Sequence, residues 1–177
     1  MCRFIIILIL LAIAGGFAGA VMSRPRFDDY EELYFYLLDS TPGPHDESFA
    51  ALPGPVQQMY VAAILDMEIQ NGGLCQFFVN CGTDYAPLTA AALRAVGVEP
   101  MAELYEAFLS DNDISMEDAA AFEIVNFTMD DMDRYAALAK SYPFDAFDDA
   151  YMSLWESLHF EQAMLDYANA HAEELKG

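Results

Sequence analysis

The stretch Glu68-Ile69-Gln70-Asn71-Gly72-Gly73-Leu74-Cys75-Gln76-Phe77-Phe78-Val79-Asn80 decides the fold. Ahead of it, Val56, Met59, Tyr60, Ala63, Ile64 and Met67 recur at the spacing of a core-facing helix. Asn71-Gly72-Gly73 stops that helix, because glycine reaches the left-handed conformation of a helix end without a Cβ penalty. Leu74, Phe77, Phe78 and Cys81 then share one face of a second helix, with Gln76 and Asn80, four apart, side by side on another. The expectation is a tight corner between two buried helices, with Glu68, Asn71, Gln76 and Asn80 gathered at it and Phe77 and Phe78 in the core. Backbone groups freed at the break cost about 1–3 kcal/mol each if buried unpaired, so the amides and carboxylate read as their hydrogen-bond partners rather than as a ligand pocket.

Outward from the corner the chain reads as helices throughout. Asp28 to Leu38 is a first helix, with Phe27, Tyr30, Tyr34, Leu37 and Leu38 inward and Asp28, Asp29, Glu31 and Glu32 where the macrodipole favours acids. Asp39 to Gly54 is a loop rich in breakers, and Pro55 opens the central helix. After the corner, Gly82-Thr83-Asp84 reads as a turn, Pro87 as a helix start and Gly97 as its end. Pro100 opens a helix with Met101, Leu104, Tyr105 and Phe108 inward. Ser115 to Asp118 and Thr128 to Asp131 are capping arrangements that predict helices from Met116 to Val125 and from Met129 to Ser141. A last long helix follows from Ala146, with Phe147, Tyr151, Leu154, Leu158, Leu165 and Ala168 along one face. No alternating segment suggests a strand, so the fold class is all-α.

The formal charge is −22, and the acids lie in undiluted runs. Ten carboxylates and no Lys or Arg fall between Phe27 and Leu93, and eleven more with none between Glu99 and Asp133. Hydrophobic residues make up 55% of the chain, which excludes the composition of a disordered acidic tail.

Residues Phe4 to Met22 form an apolar run flanked by Arg3, Arg24 and Arg26. Its length approaches the ~20 residues that span a bilayer, and exceeds the roughly 7–15 of a signal-peptide core. The expected organisation is an anchor or signal segment over residues 1–26 and an acidic helical domain over 27–177. A single-pass anchor with the domain in the cytoplasm is the first reading. Ala18-Gly19-Ala20 offers a cleavage site and hence secretion, and Met22 offers an internal start. Of three cysteines, Cys75 and Cys81 would project about 240° apart on a helix and cannot pair there, so free thiols are expected.

The text E-x-x-N-G-G-x-x-Q-F-F-x-N, here Glu68, Asn71, Gly72, Gly73, Gln76, Phe77, Phe78 and Asn80, resembles the DNA mimic protein 19 family of small acidic bacterial proteins. Gly82, Tyr85, the run from Ala92 to Gly97 and the run from Tyr142 to Asp149 extend the resemblance. It implies an all-helical fold and, for the founding member, a dimer that imitates the charge of DNA and occupies a DNA-binding protein.

Phosphate-binding glycine loops and nucleophile elbows are absent from the sequence. Asp111, Asp113, Ser115 and Glu117 imitate the start of a calcium loop, but Met116 stands where the turn needs glycine and Phe122 where the bidentate glutamate belongs. No metal, cofactor or catalytic residue is expected, and no direct binding of nucleic acid. The remaining candidate is the acidic surface: Glu99, Glu103 and Glu106 as a helical stripe, with Glu117, Asp118, Asp130, Asp131 and Asp133 at helix starts. The functional expectation is a non-enzymatic module that takes the basic site of a DNA-binding protein. The alternative is a membrane-tethered helical interaction domain whose acidic coat is incidental.

Overall fold

The computed structural model describes residues 26–43 and 46–176. The apolar run from Phe4 to Met22, with its anchor, signal and internal-start readings, lies outside them. Among the described residues no helix is long and apolar enough to cross a membrane. They form seven α-helices with three short 3-10 turns and no strand: α1 Tyr30–Ser40, α2 Gly54–Ala95, α3 Glu99–Asp111, α4 Met116–Phe122, α5 Met132–Ala139, α6 Phe144–Ser157 and α7 Phe160–Ala170.

The spine is α2, against which α1, α3, α4, α6 and α7 all pack. Its first half is apolar almost all round: Val61, Ala62 and Leu65 are buried as well as the expected Met59, Tyr60, Ala63 and Ile64, while Met67 is only half-buried. A helix apolar on every side belongs in a domain's centre rather than on its flank. The break falls where expected, at Gly72 (φ −164°, ψ 18°) and Gly73 (φ 80°, ψ 178°). The second conformation is essentially closed to residues with a Cβ.

Beyond the break the expected turn at Gly82-Thr83-Asp84 does not form. The second half of α2 runs straight through it and through Pro87. Proline's missing N–H frees the carbonyl of Thr83, but Thr83 and Pro87 are both exposed, so water serves that carbonyl at little cost. Gly82 has a different task. It is buried against α4, and a Cβ there would overlap the carbonyl oxygen of Ala119. The helix does end at Gly97 (φ 89°), where the Gly97 N–H donates to Arg94 O at 3.1 Å and the Val98 N–H to Leu93 O at 3.0 Å. That pair of bonds satisfies two otherwise orphaned carbonyls.

Both capping boxes form, at Ser115–Asp118 and Thr128–Asp131, but the helices behind them are shorter than expected. The second opens with a 3-10 turn, Met129–Asp131, before α5. The expected last helix is two: His159, at φ 52°, turns the chain between α6 and α7. The turn lets Phe160 bury completely against α1, edge-on to Tyr30 at 6.0 Å, and brings Met164 and Ala168 into the core. Burial of such side chains, at about 1.5–3 kcal/mol each, outweighs the 1–2 kcal/mol of a left-handed residue. Even the loop before α2 is tied in, through buried Phe49 packed on Tyr60 and Tyr85.

Candidate functional site

Three of the four polar residues expected at the corner do meet. Gln76 Nε2 and Asn80 Nδ2 both donate to Glu68 Oε2 at 2.8 Å, the glutamate being 6% exposed. Asn71 is exposed and lines a shallow depression with Met67 and Gln70 instead. The expectation that these side chains serve freed backbone groups is corrected. The amides instead supply hydrogen bonds to a buried carboxyl group, which would carry a desolvation cost if left without partners. The backbone N–H of Leu74, first of the second half of α2, donates to Asp148 Oδ1 at 2.9 Å. Asp148 thus caps, from α6, a helix start that no local side chain caps.

A second buried carboxylate, Asp66, was not among the candidates. It is 2% exposed, and accepts from Tyr30 Oη at 3.0 Å, Gln70 Nε2 at 2.9 Å and Tyr151 Oη at 3.2 Å. Burial pushes its pKa above the usual carboxylate range, and those three donors pull against the shift. The pKa of Asp148 is raised too, by burial first, with the Leu74 N–H opposing. The available signal for Asp66 was a lone acid inside the apolar run from Val56 to Met67. Around the break these carboxylates hold helices together; among the described residues no three His, Cys, Asp or Glu side chains converge as metal ligands.

The eight carboxylates proposed for partner binding divide by what they touch. Glu99, Glu103 and Glu106 do form an exposed stripe on α3. Its two ends, however, close on one cation: Arg94 Nε donates to Glu99 at 2.8 Å, and its terminal nitrogens take Glu106 bidentately at 2.7 and 2.6 Å. Those hydrogen bonds hold the Glu106 carboxyl below its ordinary range. Asp118 and Asp131 are the acids of the capping boxes, with pKa values lowered by Ser115 and Thr128. Glu103, Glu117, Asp130 and Asp133 point from ordered helices and turns into solvent.

A wide concavity lies elsewhere, between the start of α1 and the corner joining α6 to α7. This cleft, of about 760 Å³, is lined by Asp28, Asp29, Glu31, Glu156 and Glu161, with Tyr30, Trp155 and Phe160 as its aromatic wall. Sequence reasoning missed it because it took α6 and α7 for one helix. Without the corner at His159, Glu156 and Glu161 have no reason to face the acids of α1.

Fold and surface together define a small, acidic, all-helical protein whose charge is carried on rigid elements. A family model described as DMP19-like protein matches residues 50–171, and the chain belongs to that family. No curated protein and no solved structure matches the chain.

Proposed function

We propose that the protein is a non-enzymatic binding module whose carboxylate surface occupies the basic site of a DNA-binding protein, in the manner of DNA mimics. The observation that carries this reading is the state of the cations beside the acids. Over α3, α4 and α5, Arg94 is spent on Glu99 and Glu106, and Arg134 donates to the carbonyls of Ala121 and Glu123. The eleven acids from Glu99 to Asp133 outnumber these two flanking arginines, so this part of the surface keeps a net negative field, fixed by helices rather than held on a floppy tail. Duplex DNA carries one charge per ~1.7 Å of axis, and a basic groove shaped for it responds to any rigid array of comparable density. The absence of catalysis in this reading is supported by Asp66, whose two oxygens are engaged by two phenols and an amide, and by Glu68, one oxygen of which accepts from two amides.

The test is release of a protein from immobilised duplex DNA. The full chain, added near stoichiometry to a column loaded with the cell's DNA-binding proteins, should elute a discrete protein at low salt and lose that ability between about 50 and 200 mM salt. Release of the same set by polyglutamate of equal charge would mean that the arrangement of the acids is irrelevant, and would overturn the proposal. So would release that is indifferent to salt.

A further inference from the structure

Deepening the reading above and resting on it, we infer that the partner is held by an apolar anchor as well as by charge, in a groove against the second half of α2. The groove, of about 290 Å³, is walled by Val79, Phe127, Met132 and Tyr135 and floored by Gln76 and Asn80. The floor amides are fixed by Glu68, and Phe127 stands edge-on to Tyr135 at 6.1 Å, so the walls are set. The N–H of Ile124 donates to Val79 O at 2.9 Å and pins the near end of the α4–α5 connection to α2.

Beside Phe127 and Met132 in the chain stand the two most exposed large apolar side chains among the described residues, Met129 and Val125. Met129 is 81% exposed and Val125 74%, with Met132 at 44% and Phe127 at 41%. Unbranched, polarizable methionines suit a surface that must accept varied side chains. Asp130, Asp131 and Asp133 lie in the same turn and helix start, and Arg134 faces back onto carbonyls of the α4 end. Three carboxylates against the single cation Arg134 leave the segment that carries Met132 net negative, and an apolar groove beside it fits one class of occupant: a basic amphipathic helix that lays an aliphatic side chain into the groove and its lysines or arginines over those acids. A second copy of the chain, itself at −22, brings the wrong charge to that segment.

The test uses two synthetic lysine helices of equal charge and about 18 residues, five turns, one with a leucine face and one with an alanine face. The full chain should bind the leucine peptide about tenfold more tightly, the scale of one buried leucine. Phe127→Ser with Met132→Ser should remove that preference while leaving the alanine peptide's affinity unchanged. Met129→Ser, at a side chain almost wholly in solvent, should reduce the preference without risk to the fold, and Phe35→Ser, on the exposed face of α1, should leave it intact. Equal binding of the two peptides, or a preference that survives in the groove variants, overturns the groove alone. Binding of neither peptide overturns the carboxylate reading and the groove with it. A dimer in sedimentation that dissolves in Phe127→Ser with Met132→Ser assigns the groove to a second copy and overturns the proposal.

Discussion

The Oδ1 of Asp148 lies 2.9 Å from the backbone nitrogen of Leu74, and its Oδ2 occupies the space a side chain at Gly73 would need. The break in α2 is therefore built from two halves, a glycine that permits the conformation and a carboxylate from α6 that caps it. Gly73→Ala meets both a backbone strain of about 1–3 kcal/mol and displacement of the cap, so its stability should fall by about 2 kcal/mol or more. Asp148→Ala, which leaves the Leu74 N–H without its partner, should cost about 1 kcal/mol. Because the first change already expels the carboxylate, the double variant should cost less than the sum. Urea unfolding of the four proteins measures the coupling, and strict additivity would refute the paired role.

Gly82 gives a prediction whose sign decides between two readings. An exposed helical glycine gains about 1 kcal/mol on replacement by alanine. Here the added methyl would meet the backbone of Ala119 on α4, which has no flexible end to swing away. Gly82→Ala should therefore lose about 1–3 kcal/mol, the range for overpacking, with the loss read from thermal or urea unfolding. A stabilised variant would mean that α2 and α4 do not approach so closely.

The two glycine sites show what the sequence carried and what it did not. Gly72-Gly73 sits between two apolar runs of different phase, and such a change of phase needs a corner. Gly82 carries the same letter and the same company of polar residues, but its cause is a contact with a helix nearly forty residues on, which no local pattern records. The corner at His159 is the reverse case: neither glycine nor proline marks it, because burial of Phe160 drives the chain round. That one missed corner hid the acidic cleft. The stripe on α3 was legible from its spacing, and its neutralisation by Arg94 was not, since the arginine comes from the preceding helix across the turn at Gly97.

Asp66 makes stability depend on pH with a definite sign. Burial raises its folded pKa above the unfolded value of about 3.9, against the opposing hydrogen bonds of Gln70, Tyr30 and Tyr151. The folded state thus holds the proton more tightly, so this group's contribution is fully present below the unfolded pKa and is lost as pH rises through the folded one. Asp66→Asn removes the charge and keeps an acceptor for the phenols. Its stability relative to the parent should rise from acid pH to neutral pH and then level. Unfolding curves of both proteins between acid and neutral pH give the difference, and a difference flat with pH would show that the carboxyl titrates as though exposed.

The thiols offer a separate check on burial. Burial, with Asp148 nearby, pushes Cys75 up to about 11, and burial with Glu68, Glu123 and Asp84 pushes Cys81 up to about 12. Only thiolate is nucleophilic, so at pH 8 both should react with iodoacetamide at least about a hundredfold more slowly in the folded protein than in urea. Site-resolved mass spectrometry of the alkylated peptides reads the two rates. Rapid labelling of Cys75 without denaturant would place it outside the packed interior.

Arg94 and Glu103 separate a functional acidic surface from an incidental one. Arg94 neutralises the ends of the α3 stripe and lies exposed with them, so Arg94→Gln changes charge with little effect on the fold. If the stripe meets a basic partner, freeing Glu99 and Glu106 should tighten that complex and steepen its dependence on salt. Glu103→Lys places a cation at the middle of the same stripe and should weaken binding by roughly two- to fivefold at low salt, with the difference shrinking as salt rises. Opposite effects of two single changes on one helix-turn-helix face cannot come from general loss of stability, which would push both in the same direction. Affinities measured for both variants at low and moderate salt therefore carry the decision. If neither differs from the parent, this face takes no part in recognition, and the membrane-tethered interaction domain with an incidental coat becomes the better account.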